Sequence, residues 1–249
     1  MTNSKAETSP QFYARIGGLA YLIIIIGGAL GELFIRNKII VSGDAMATAH
    51  KIASSPMLWR IGVAGDLIMH VCDLILAMVY YLLFRRVNKN LAMLSVLFGL
   101  IQTAVLVANK LNLMMPLFFL GNEDYLKAFD PHQLQVLAYV AIKAHGYGFS
   151  IGLIFFGLEC IIDGYLIFTS GFLPKFWGGL ILIAGLCYLT NSFALILFPA
   201  FSDSIFQIII TPTFIAELSM CLWLLIKGVD ITKWNRLLNN NVQNNNFHL

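Results

Sequence analysis

The chain has 249 residues, 59% of them hydrophobic and 12% charged, with a formal net charge of +3. A soluble domain runs near half apolar and a quarter charged. The excess here lies in continuous blocks rather than alternating stripes, which excludes a soluble fold and predicts an all-α, polytopic membrane bundle with the lipid bilayer as its solvent. The small net charge gives no reason to expect a nucleic-acid partner, and the basic residues cluster at the ends of the apolar blocks, where they report orientation.

Six spans are predicted. Residues 1–11 read as a cytosolic tail, and the first span follows at 12–35. Its Gly27 and Gly31 form a GxxxG pair at which a neighbouring helix can approach closely. A short surface helix is expected over 44–55, stopped by Pro56. The second span, 57–84, runs into the basic group Arg85, Arg86 and Lys89. The third, 91–120, carries Pro116, expected to kink its last turn. Asp130-Pro131 is a helix start, an acidic cap followed by proline at the first helical position. The helical pattern from there to residue 169 is about 58 Å long at 1.5 Å per residue, nearly twice a bilayer core of about 30 Å. The expectation is a surface or tilted segment at 131–144, a hinge at Gly146-Tyr147-Gly148 and a fourth span at 149–169. The fifth span is placed at 176–198 and the sixth at 204–227, interrupted by Pro212. Trp234, between Lys233 and Arg236, reads as an interfacial anchor. The Asn-rich segment 229–249 has nothing to bury and reads as a disordered cytosolic tail, leaving 12–228 as one membrane domain.

Orientation follows from lysine and arginine. With the N-terminus inside, Lys5, Arg15, Arg85, Arg86, Lys89, Lys175, Lys227, Lys233 and Arg236 lie inside, and Arg36, Lys38, Lys51, Arg60 and Lys127 lie outside. The inside excess predicts both termini in the cytosol and the chain in the cytoplasmic membrane. Cys72, Cys160, Cys187 and Cys221 each sit within an apolar block without a CxxC pattern, and read as free thiols packed as small hydrophobes.

Four stretches carry a likeness to a known family. They are Arg15-Ile-Gly-Gly-Leu-Ala-Tyr-Leu, Arg60-Ile-Gly-Val-Ala-Gly-Asp-Leu-Ile, Ala144-His-Gly-Tyr-Gly-Phe running on to Gly152-Leu-Ile-Phe-Phe-Gly, and Glu217-Leu-Ser-Met-Cys-Leu-Trp-Leu-Leu-Ile-Lys-Gly. In these the chain resembles DUF4386, an uncharacterised family of prokaryotic membrane proteins. The resemblance implies a bacterial multi-pass protein and no activity.

An ionisable side chain at bilayer depth costs from about 3 kcal/mol upward, so it faces protein or water. Asp66, His70 and Asp73 stand at i, i+4 and i+7 on one helix stripe, Glu159 and Asp163 on another, and Gln102, Asn109 and Asn112 on a third. Depth sorts the set into two layers. An outer polar cluster holds Glu32, Asp66, Asn109, Lys110 and His145, and can close through ion pairs of Glu32 or Asp66 with Lys110 or Arg60. A middle layer holds His70, Asp73, Glu159 and Glu217, with no lysine or arginine. Asp163 is expected close enough to the inner surface to be solvated. Carboxylates without a counter-ion cannot all stay charged in a dry site, so protons, a cation or water must lie among them.

Three readings stay open. In the first, His70, Asp73, Glu159 and Glu217 bind or transport a small solute, cation or proton, with Asp66, Lys110 and His145 as an outer gate. In the second, the same four residues hold a catalytic metal; mixed nitrogen and oxygen donors suit zinc, manganese or iron, although no HExxH occurs. In the third, the network only stabilises a structural or sensory membrane protein. The sequence names no cofactor, substrate, catalytic residue or oligomeric state.

Overall fold

The computed structural model describes residues 9–246, including the backbone of the C-terminal Asn-rich helix. Lys5 and most of the N-terminal tail lie outside the described residues. All regular elements among those described are helical. Helix α1 (Pro10–Ala29) passes through a π-helical segment (Leu30–Arg36) into α2 (Asn37–Ile39), giving one 30-residue apolar span. Helix α3 (Ala45–Ser54) follows, capped by the Asp44 carboxylate, which accepts from the Ala47 N–H at 2.8 Å. Next come α4 (Pro56–Phe84), α5 (Lys89–Phe119), α6 (Pro131–Ser170), α7 (Lys175–Leu197), α8 (Pro199–Ile226) and α9 (Ile231–Asn246). Among the described residues, six helices are long and apolar enough to cross a membrane. Their outward faces carry Ile68, Val71, Met78, Leu111 and Phe214, while Asp66, His70, Lys110 and Asp163 are buried. That inversion of the soluble pattern fits lipid as the solvent, and the chain is a multi-pass membrane protein.

The spans form a closed ring. Helix α1 packs on α4, each span from α4 to α8 packs on the next, and α8 returns to α1. The closest passage is α6 against α7. There a Cβ added to Gly164 would lie 2.7 Å from the Gly178 carbonyl oxygen, and one added to Gly185 would lie 2.6 Å from the Gly157 carbonyl oxygen. Backbone contact at two levels seven residues apart is the close approach that small residues permit between membrane helices. The Gln11 amide closes the ring at one face, donating to the Lys227 carbonyl at 2.8 Å and accepting from the Val229 N–H at 3.0 Å. Both ends of the ring therefore lie on the same side.

Four expectations change. Helix α6 is continuous for 40 residues, about 60 Å, with no hinge at Gly146–Gly148. Gly148 instead makes room for Asn109, whose Oδ1 would lie 2.2 Å from an added Cβ. The α8 helix likewise runs through Pro212 without interruption. The tail read as disordered is helical over Ile231–Asn246. Trp234 is buried edge-on against Phe172, which stacks on Phe84, so it anchors α9 to the bundle rather than to headgroups.

Candidate functional site

The π-helical turn at the end of α1 places Glu32 and Arg36 together, and Arg36 Nε donates to Glu32 Oε2 at 2.7 Å. Arg36 Nη1 reaches across to Asp66 Oδ2 on α4 at 2.8 Å. Lys110 Nζ on α5 donates to the same oxygen at 2.9 Å. Asp66 is thus held between two cations, with its side chain fully buried and that of Lys110 nearly so. Charge in this outer cluster is balanced, two cations against Asp66 and the half-exposed Glu32. The Asp66–Lys110 pair raised from sequence is present. Arg36 replaces the alternative partner Arg60, which is exposed. The other predicted members play different parts. Asn109 Nδ2 donates to the His145 carbonyl at 2.9 Å and Asn109 Oδ1 accepts from Asn112 at 2.9 Å, so Asn109 ties α5 to α6. The His145 ring lies against Phe149, in the electrostatic neighbourhood of Lys110, Arg36, Asp66 and His70.

Deeper in the ring, a cavity of about 60 Å³ is lined by residues from all six spans. Four carboxylates line it: Asp73 from α4, Glu159 and Asp163 from α6, and Glu217 from α8. No lysine or arginine does. Helices α4, α6 and α8 are alternate members of the ring, so the acids approach the axis from three sides. Asp73 Oδ2 pairs with His70 Nδ1 at 2.9 Å, and Asp163 Oδ1 accepts from Ser95 at 2.6 Å. Glu217 accepts from the Tyr188 hydroxyl, and Tyr21 faces the same carboxylate from α1. Glu159 has no hydrogen-bond or ion-pair partner among the described residues; its carboxylate rests on Gly99, where an added Cβ would lie 2.6 Å from Oε1. A water needs about 10–15 Å³, so the space can hold more than one.

Of the predicted middle layer, Asp73, Glu159 and Glu217 line one cavity, and His70 stands beside it through Asp73. The expectation of a solvated Asp163 fails: it is 5% exposed and lines the same space. Its position one turn beyond Glu159 on the same stripe was the signal for this. Arg36 was hidden because the sequence places it in a loop, whereas the helix continues past it to Ile39. Among the described residues, no group of three or more His, Cys, Asp or Glu side chains is arranged to hold a metal ion. The four cysteines are free, and Cys160 lines the cavity.

A family model described as domain of unknown function DUF4386 matches residues 16–228. The chain belongs to the DUF4386 family. An uncharacterised protein of Archaeoglobus fulgidus is 28% identical over 166 residues, covering 67% of this chain and 83% of that protein. No solved structure matches. All four cavity carboxylates and the Asp66–Lys110 pair fall within the segment matched by DUF4386.

Proposed function

We propose that this DUF4386 protein binds and moves protons, or a small hydrated cation, through the acidic cavity on its helix-ring axis, and that it does so in the cytoplasmic membrane with both termini in the cytosol. The observation that carries the reading is four carboxylates from alternate helices around one cavity that no lysine or arginine lines. Burying uncompensated carboxylates is costly enough that such sites take up protons or a cation instead. Volume narrows the ligand. Pockets for organic solutes run about 300–1,000 Å³, against about 60 Å³ here, which favours protons and waters over a metabolite. The lysine and arginine excess on the face holding the termini supports the orientation.

The test is flux. Purified protein in liposomes with an entrapped pH-sensitive dye, driven by a potassium diffusion potential, should acidify the lumen. Glu159→Gln, which breaks no hydrogen bond, should abolish that acidification. Equal flux in the wild type and the variant would overturn the reading. A second reading has its own support: Asp73, Asp163 and Glu217 each have a hydrogen-bond partner. On that reading the network is structural, and Glu159→Gln is silent in every assay.

A further inference from the structure

Between the balanced outer cluster and the acidic cavity stands His70, and it is bonded on one side only. Its ring is 1% exposed. Nδ1 is engaged by Asp73, which lines the cavity, while Nε2 is buried with no partner. Two more buried atoms without partners belong to residues of the outer cluster, Asp66 Oδ1 and His145 Nε2. His145 lies in the electrostatic neighbourhood of both Asp66 and His70. Buried polar atoms are nearly always satisfied, by protein or by ordered water. Each of these three atoms, two on α4 and one on α6, therefore calls for a water, and His70 does so at the ring nitrogen that Asp73 does not engage.

We infer that His70 is a proton relay connecting the outer charge cluster to the acidic cavity, with its orphaned Nε2 as the entry side and the Nδ1–Asp73 bond as the exit. This rests on the proton reading proposed above and names its route. The step balances without a further reactant. A proton arriving through water at Nε2 makes the ring an imidazolium. The Nδ1 proton then passes to Asp73 Oδ2, leaving a neutral ring and a neutral Asp73 carboxyl at the cavity wall. A turn of the ring resets it for the next proton. Histidine suits the task because its two nitrogens can hold and release a proton on opposite sides near neutral pH. The titratable and charged groups near it are Asp66 and Asp73 on its own helix, Arg36 of the first span and Lys110 of α5 bound to Asp66, and His145 from α6. Asp66 is the hinge of this balance, since freeing its carboxylate from Lys110 or Arg36 would draw a proton toward the relay.

Two measurements test the relay. In the liposome assay, His70→Gln should slow lumen acidification by about a hundredfold, the low end of what a positioned proton-transfer group contributes, while Glu159→Gln abolishes it. The second measurement is nitrogen NMR of histidine-labelled protein in bilayers, with His50, His132, His145 and His248 replaced by Gln so that one ring is observed. Recorded from about pH 5 to pH 8, the His70 resonances should report exchange of the ring proton between Nδ1 and Nε2. A ring held in one tautomer across that range overturns the relay even if His70→Gln fails to fold. If the wild type acidifies the lumen and His70→Gln matches it, the relay falls and the cavity reading stands. If the wild type moves no protons, both fall.

Discussion

The two polar regions of this protein solve the same problem in opposite ways. Both bury ionisable groups inside a ring of apolar helices. In the outer region, every charge has an opposite charge in contact: Arg36 and Lys110 converge on one oxygen of Asp66, and Arg36 also holds Glu32. In the inner region, four carboxylates share a cavity without a lysine or arginine, and Glu159 has no hydrogen bond. A compensated cluster rigidifies the contact between α1, α4 and α5. An uncompensated one favours protonated carboxyls or a bound cation, which is the basis of the proposed proton path.

That contrast can be broken by mutation, and the largest effect is expected at Asp66. Asp66→Ala leaves Lys110 and Arg36 facing each other without their shared anion. Stripping one partner from a buried pair costs about 3–5 kcal/mol, so thermal unfolding in detergent should show a large loss. Lys110→Met in the same chain should recover part of it, because the uncompensated lysine is gone. A double-mutant cycle with no coupling would show that the pair is not what holds these helices together.

A smaller pair of changes compares the glycines beneath the two regions. An added Cβ at Gly31 would meet Asp66 Oδ1 at 3.0 Å and Arg36 Nη2 at 3.1 Å, both fixed by ion pairs. Gly31→Ala should therefore destabilise by about 1–3 kcal/mol, the usual range for overpacking. At Gly99 the obstacle is the end of the Glu159 side chain, which has no bond to lose and can swing into the cavity. Gly99→Ala should leave the unfolding temperature nearly unchanged while narrowing the cavity and slowing proton uptake. Equal destabilisation at both positions would mean that Glu159 is as firmly held as Asp66.

Glu159→Gln sharpens the same point. It removes no hydrogen bond, each typically worth about 0.5–1.5 kcal/mol, and it takes one acid from a cavity with no cation in its wall. Stability should change by about 1 kcal/mol or less, in either direction. A large loss of stability would reveal a structural partner and weaken the flux reading.

How much of this was legible in the sequence depends on what each residue's neighbours had to supply. The spans were legible because length and apolarity alone define them. The stripe of Asp66, His70 and Asp73 was legible because helical periodicity fixes it, and Lys110 stood out as a lysine too deep to reach water. The continuous α6 helix was not legible. Gly146 and Gly148 read as a hinge, but a glycine breaks a helix only where nothing else stabilises it, and Gly148 is held by the approach of Asn109 from α5. Asp163 was legible only in part: its stripe shared with Glu159 pointed inward, but the Ser95 hydroxyl of α5 that donates to it at 2.6 Å did not show. The helix of the Asn-rich tail depends on Trp234 docking against Phe172, a contact between residues more than sixty positions apart.

The smallest expected effect lies at an acid that belongs to neither region. Asp230 stands before α9, outside the membrane-spanning segments, where its Oδ1 accepts from the Lys233 N–H at 3.1 Å and its Oδ2 meets Lys233 Nζ at 3.3 Å. Those bonds hold its carboxyl below the usual carboxylate range, the Lys233 backbone N–H first among them. A carboxyl whose folded pKa is depressed contributes stability above its unfolded pKa and loses it as the pH falls through the folded value. The first turn of α9 should therefore be firm at neutral pH and fray only in acid below the ordinary aspartate range, read as faster hydrogen exchange at the Lys233 amide. Asp230→Ala should give that faster exchange at every pH and leave proton flux untouched. Slow exchange persisting in the variant would show that Trp234 alone holds α9 down. A change in flux would tie the C-terminal helix to the cavity, and the separation between exposed, compensated acids and the four on the ring axis would no longer hold.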